Sequence, residues 1–245
     1  MDIQGRKVLI TGASRGLGRT LAFAFAKEGA REIFAGARKP EDLEKLKNDA
    51  AAIRAPITPI RLDVTNDDNV SAAARLGFID ILINNAGVAG YGNPLQMNFE
   101  DALREMNVNY FGALRMARAL APAMMERGEG MIVNMATAFA KVNLPLVGTY
   151  CATKAALLSL GQALRAYLAD KGVHVITVMP TTIDTDMSRG ADAPKMTTEF
   201  VAAEILRHIR EETIDPPIGE EAERILEGLR TDPASLEKML SQIRA

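Results

Sequence analysis

One cysteine, Cys151, and two widely separated histidines, His174 and His208, are all the thiol and imidazole in a chain of 245 residues. A single thiol excludes an intramolecular disulfide and suits a reducing compartment, so a cytoplasmic setting is expected. The histidines lack metal-ligand spacing, and no metal site is expected. No apolar run approaches the roughly 18 residues of a membrane span, and Met1 to Lys7 holds no apolar signal region. Charge of one sign is also missing. The formal net charge is -2 with no basic block, which speaks against nucleic acid or an anionic membrane as partner. No repeat, low-complexity stretch or Pro/Gly-rich linker divides the chain, and residues 1–245 are expected to form a single domain.

What is present is ordinary for a globular protein, 48% hydrophobic and 24% charged, arranged as alternating strands and helices. Short apolar runs at Lys7 to Ile10, Ile33 to Ala35, Ile57 to Leu62, Ile79 to Ile83, Met131 to Met135 and Val173 to Met179 read as strands. Between them lie helical patterns, including a long one around Phe99 to Met125 and another from about Tyr150 to Asp170. Runs without strict alternation, interleaved with helices, imply a parallel sheet buried on both faces, a doubly wound α/β fold.

The first strand leads into Thr11-Gly12-Ala13-Ser14-Arg15-Gly16-Leu17-Gly18, after which Leu17, Leu21, Ala24 and Phe25 recur at helical spacing. A glycine turn between strand and helix N-terminus lets backbone approach a dinucleotide pyrophosphate, and free N–H groups with the helix dipole favour its charge. The spacing is G-x-x-x-G-x-G rather than the common G-x-G-x-x-G, and a plain strand–helix turn is the competing reading. Ligands in such folds bind at the carboxyl edge of the sheet. Asp63, Asn84 to Gly87, Asn134 to Thr137 and Pro180 to Thr182 all fall at predicted strand ends on that edge.

Tyr150 and Lys154 are four residues apart at the start of a helix and therefore share a face. An ammonium near a phenol favours phenolate, so Lys154 is expected to pull Tyr150 below its usual value of about 10, toward general acid–base work.

Thr11 to Gly18, Asp63-Val64, Asn84 to Gly87, Asn109-Tyr-Phe-Gly112, Tyr150-Cys-Ala-Thr-Lys154 and Pro180-Thr-Thr-Ile-Asp-Thr185 occur in that order. Together they resemble the short-chain dehydrogenase/reductase family over nearly the whole chain. The resemblance implies a Rossmann-type sheet, a nicotinamide cofactor, and assembly as a homodimer or homotetramer. It implies that Tyr150 donates the proton in carbonyl reduction, that Lys154 lowers its pKa and holds the nicotinamide ribose, and that Asn109 rather than Asn107 supports a proton-relay water. Gly12, Ser14, Arg15, Gly16, Leu17 and Gly18 would cradle the pyrophosphate. Asp63 would accept from the adenine amine, with Val64 beside it. Asn85, Ala86 and Gly87 would line the ribose, and Pro180, Ile183 and Thr185 the nicotinamide.

Two positions depart from the family. The second serine of its Ser-Ser pair is Thr137, thirteen residues before Tyr150, whose hydroxyl is expected to donate to the substrate oxygen while its methyl narrows the pocket. Thr181 stands where glycine is usual. The stretch between Asp63 and Asn84 looks short, as if its helix were truncated.

Cofactor choice follows from charge. After the second strand the chain reads Gly36-Ala37-Arg38-Lys39, with no acid before Glu41. Arg38 and Arg15 can bracket a 2′-phosphate, so NADP(H) is expected. Phe139, Val142, Leu144, Leu146, Met187 and Met196 suggest either an apolar substrate pocket or plain packing. With no arginine placed for an anion, the expected substrate is a small to medium lipophilic aldehyde or ketone. A non-catalytic NADP(H) sensor on the same fold is the rival reading. A helical extension is expected at about 219–245, docked on its own subunit or at an interface.

Overall fold

A computed structural model of the chain describes residues 1–243. Strands and helices alternate as β1 (Lys7–Ile10), α1 (Gly16–Lys27), β2 (Glu32–Ala37), α2 (Pro40–Ala52), β3 (Ile57–Arg61), α3 (Asp67–Ala74) and β4 (Ile81–Asn84). The second half continues with α4 (Phe99–Met106), α5 (Gly112–Arg127), β5 (Gly130–Met135), α6 (Gly148–Leu168), β6 (Val173–Pro180), α7 (Thr198–Glu211), β7 (Pro217–Ile218), α8 (Glu220–Thr231) and α9 (Pro233–Leu240). The strands form one sheet in the order β3-β2-β1-β4-β5-β6-β7, all pairs parallel.

Each face of the sheet carries its own core, as a doubly wound fold requires. On one side Leu21 and Phe25 of α1, Leu46 of α2, and Val201, Ile205 and Ile209 of α7 cover Val8, Ile10, Ile81, Ile83 and Val133. On the other, Met116, Leu120 and Met124 of α5 and Leu168 of α6 cover Leu9, Leu82 and Ile132. Phe25, wholly buried, alone contributes about 1.5–3 kcal/mol. Strand order reverses between β1 and β4, which opens a crevice above their carboxyl ends.

Two features differ from the sequence pattern. The expected helix from Phe99 to Met125 is broken by a π-helical turn, Asn107–Phe111, between α4 and α5, where the side chain of Asn109 turns inward (below). β7 was not foreseen, because two residues on an edge strand have no period to read. The connection from Asp63 to Asn84 is short as expected and holds only the 8 residues of α3.

The expected extension is α8 and α9; positions 244–245 lie outside the described residues. Ala222, Ile225, Leu236 and Leu240 of these helices pack on Ala138 and Val142, with Phe139 and Leu144 against them. Those residues therefore serve packing on the same chain. Met196 likewise packs on the sheet core, and of the six only Met187 is well exposed.

Candidate active site

The glycine turn is built for close approach. Gly12 has φ +66°, and a Cβ there would lie 2.9 Å from the Ala86 Cα; at Gly18 it would lie 2.3 Å from the Gly12 carbonyl oxygen. Side chains are thus excluded from both positions by backbone. Thr11 ties the turn to the β4 exit: its hydroxyl accepts from the N–H of Asn85 at 3.0 Å and of Ala86 at 2.9 Å. Asn85 Nδ2 returns two bonds, to the carbonyls of Thr11 and Gly12. The Asn85 side chain is therefore used to hold the turn. α1 starts at Gly16 with Arg15 at its N-cap, no side-chain cap bond and no acid in its first turn. Among the described residues no acceptor meets its first N–H groups, which suits them to a phosphate.

Around this turn stand the other expected cofactor residues. Asp63 accepts from Thr65 N–H and hydroxyl through Oδ1. Val64 is buried against Gly112, where an added Cβ would come within 2.5 Å of its Cγ2. Leu17 is buried, Ser14 half-buried, and Arg38 exposed beyond β2. Arg15 is exposed and 3.7 Å from Asp186. Across the crevice Thr185 Cγ2 comes to 3.2 Å from a Cβ placed on Gly16, while Ile183 bridges to Met196.

Tyr150 lies in the first turn of α6 and Lys154 one turn on, its Nζ 5.6 Å from the phenol ring centroid. Lys154 is buried and donates to the Met135 carbonyl at 2.6 Å. A Cβ on Gly87 would lie 3.6 Å from Lys154 Nζ and 3.3 Å from Asn109 Oδ1, so β4 exit, lysine and asparagine meet. Asn109 grips Val88 from both sides, accepting from its N–H and donating to its carbonyl, each at 2.9 Å. It also donates to the Thr153 hydroxyl at 2.8 Å. Asn107 instead accepts from Arg115, which leaves Asn109 as the inward residue.

Two chemical expectations change. Burial comes first among the causes that push the Tyr150 phenol well above its usual value, followed by Cys151, Tyr91 and Glu105. Lys154 does not pull it down; burial lowers the ammonium itself to about 8. Tyr150 as a residue is half-buried, and its raised phenol stays protonated and able to donate. Thr137, buried at the end of β5, donates its hydroxyl to the Pro180 carbonyl at 2.9 Å. Its proton is committed to the chain, and a substrate oxygen receives it only after the hydroxyl turns away from Pro180.

The sequence pattern missed four contributors. Thr11 sat inside the quoted motif, and Thr153 inside Tyr150 to Lys154. Tyr91 and Glu105 had no motif to mark them. Beneath the edge, Asn84 donates to Asn134 at 2.9 Å, leaving Asn84 Oδ1, Asn134 Nδ2 and Thr177 Oγ1 as buried polar atoms without a partner among the described residues.

The short chain dehydrogenase family model matches residues 6–195. A short chain dehydrogenase from Burkholderia cenocepacia, solved in complex with NADP, superposes with a TM-score of 0.91 at 38% identity, covering 98% of this chain and 99% of that one. A sorbitol dehydrogenase from Cereibacter sphaeroides is 37% identical over 199 residues, 79% of this chain and 76% of the relative. A dehydrogenase/reductase SDR family protein 7-like from Drosophila melanogaster is 35% identical over 78% of this chain, which spans only 61% of that relative's length.

Proposed function

The chain belongs to the short chain dehydrogenase family, and from that premise we propose an NADP(H)-dependent oxidoreductase that reduces a small to medium lipophilic aldehyde or ketone, and oxidises the alcohol in reverse. The cofactor is NADP(H), in keeping with the NADP complex of the Burkholderia cenocepacia relative. The observation that carries the reading is the meeting, at one edge of the sheet, of an uncapped helix start with a buried phenol–ammonium pair. The donor set fits the dinucleotide: α1 has no acid in its first turn and no side-chain cap, and Arg15, which now faces Asp186, and Arg38 offer guanidinium groups to a 2′-phosphate. When bound, NADPH supplies the hydride.

The chain's residues do the rest. Tyr150 Oη holds the proton that the nascent alkoxide takes. Burial keeps that proton in place until negative charge develops beside it. Lys154, fixed by the Met135 carbonyl, supplies positive potential as the phenol loses its proton. Asn109 locks the β4 exit beside the lysine. Thr137 donates to the substrate oxygen once it leaves Pro180. The same reading extends to a homodimer or homotetramer, since Phe99, Leu103 and Phe111 of the α4–α5 region and Tyr167 of α6 are exposed; sedimentation as a monomer at micromolar concentration would oppose it.

The test is NADPH oxidation with a panel of aldehydes and ketones, repeated with Tyr150→Phe. Loss of about a hundredfold or more in kcat with NADPH affinity kept supports the reading. Equal turnover by the variant overturns it. The commitment of Thr137 to Pro180 favours one rival, a non-catalytic NADP(H) sensor; tight NADPH binding without turnover of any carbonyl would select that rival.

A further inference from the structure

Glu105 is a carboxylate in the interior, 0% exposed, that the proposed chemistry does not use. It lies one turn before Asn109, on the side of α4 that meets the β4 exit. Its Oε1 accepts the Gly90 N–H, and its Oε2 has no partner among the described residues. Asn109 holds Val88 and Glu105 holds Gly90, so two helix side chains fix two alternate positions of the exit segment. Gly92 N–H is tied in turn to the Leu146 carbonyl at 2.9 Å, just before α6. Between these anchors stands Tyr91, whose hydroxyl donates to the Met187 carbonyl at 2.6 Å.

Met187 belongs to the 3-10 turn Asp186–Ser188 beyond β6. That turn is fixed from its own side, because Ser188 Oγ donates to the Ile183 carbonyl at 2.6 Å. β5 lies between β4 and β6 in the sheet, and Thr137 follows its end. A bond from the β4 exit to the β6 exit therefore passes over the place where Thr137 and Tyr150 meet a carbonyl. The Tyr91 phenol is close enough to Tyr150 to act on its charge, and although Tyr91 is 49% exposed its hydroxyl proton is given to Met187.

We propose that Tyr91 is a specificity-determining residue: held by Glu105 through Gly90 and bonded to Met187, it spans the mouth of the substrate crevice and limits the length of substrate admitted. Glu105 is a positioning residue, acting through Gly90 and Tyr91. The length preference rests on the reductase reading above; the bond across the mouth does not.

Two measurements separate these. Hydrogen exchange of residues 183–191, read by mass spectrometry on the full chain, reports the bond with no substrate present. Tyr91→Phe removes one neutral hydrogen bond and should speed exchange there about fivefold, with α1 and α5 unchanged. Glu105→Leu should do the same from inside α4, whereas Glu105→Gln keeps an acceptor for Gly90 and should exchange like the wild type. Kinetics with NADPH and linear aldehydes from butanal to decanal report the length limit. The ratio of kcat/KM for decanal to that for butanal should rise about fivefold in Tyr91→Phe, and further in Tyr91→Ala. Unchanged exchange in both Tyr91→Phe and Glu105→Leu overturns the strap, whether or not any aldehyde is reduced. Faster exchange with an unchanged length profile overturns the specificity role. Faster exchange in a protein that reduces no aldehyde or ketone upholds the strap and overturns the reductase reading instead.

Discussion

Replacing Lys154 by methionine should change how stability depends on pH, in a direction the site fixes. The lysine is 4% exposed, and burial lowers it from 10.5 to about 8. Between those values the unfolded chain still holds the proton that the folded chain has released. The unfolded state thus binds more protons, and wild-type stability rises with pH across the window. Carrying 10.5 and about 8 through the linkage relation gives the wild type about 2 kcal/mol between about pH 7 and about pH 9.5. Lys154→Met gains nothing from this position. It also leaves the Met135 carbonyl without the donor it has at 2.6 Å, a loss of about 1–3 kcal/mol that does not vary with pH. At neutral pH the relief of a buried charge and the orphaned carbonyl are comparable, so the sign there is not the test. The slope is. Urea unfolding of both cofactor-free proteins at several pH values, kept below 10 so that phenols stay protonated, should show wild type gaining on the variant as pH rises. Parallel curves, or wild type losing ground, would refute the reasoning.

Arg38→Glu should weaken NADPH relative to NADH by about tenfold or more, the worth of a charge-assisted contact replaced by repulsion; equal affinities for the two in the wild type by titration would remove the premise. At Gly161 of α6 an added Cβ would lie 2.2 Å from Thr177 Oγ1 and 3.4 Å from Asn134 Nδ2. Gly161→Ala should therefore cost about 1–3 kcal/mol, roughly 3–10 °C in a thermal melt, and Thr177→Ala in the same chain should recover part of it. An undiminished Tm would show that the helix shifts at no cost.

The layered sheet was legible because Ile10, Ile83 and Val133 sit in short apolar runs between helical patterns, and burial on both faces leaves that signature. The glycine turn, Tyr150 and Lys154 were legible for a similar reason: a turn without Cβ atoms and a four-residue spacing are written directly in the chain. What sits around them was not. Spacing placed Lys154 beside Tyr150 but carried no measure of desolvation, which decides the direction of both pKa shifts. Thr137 kept a hydroxyl, yet nothing local showed that Pro180, 43 residues on, accepts from it. Phe139, Val142 and Leu144 were apolar on either reading, and nothing local showed that α8 and α9 would dock on them. Glu105 resembled any helix-surface acid until the fold turned it inward.

The bare start of α1 has a consequence for the lifetime of the protein. A helix that keeps its first donors for a visitor is less secure while the visitor is away. At a hundredfold excess over its dissociation constant, a molecule bound only by the native form adds about 2.7 kcal/mol of stability. Cellular proteases sample the opened form, so the abundance of this protein should follow the supply of phosphorylated nicotinamide dinucleotide, and starvation for it should thin the population by degradation before synthesis falls.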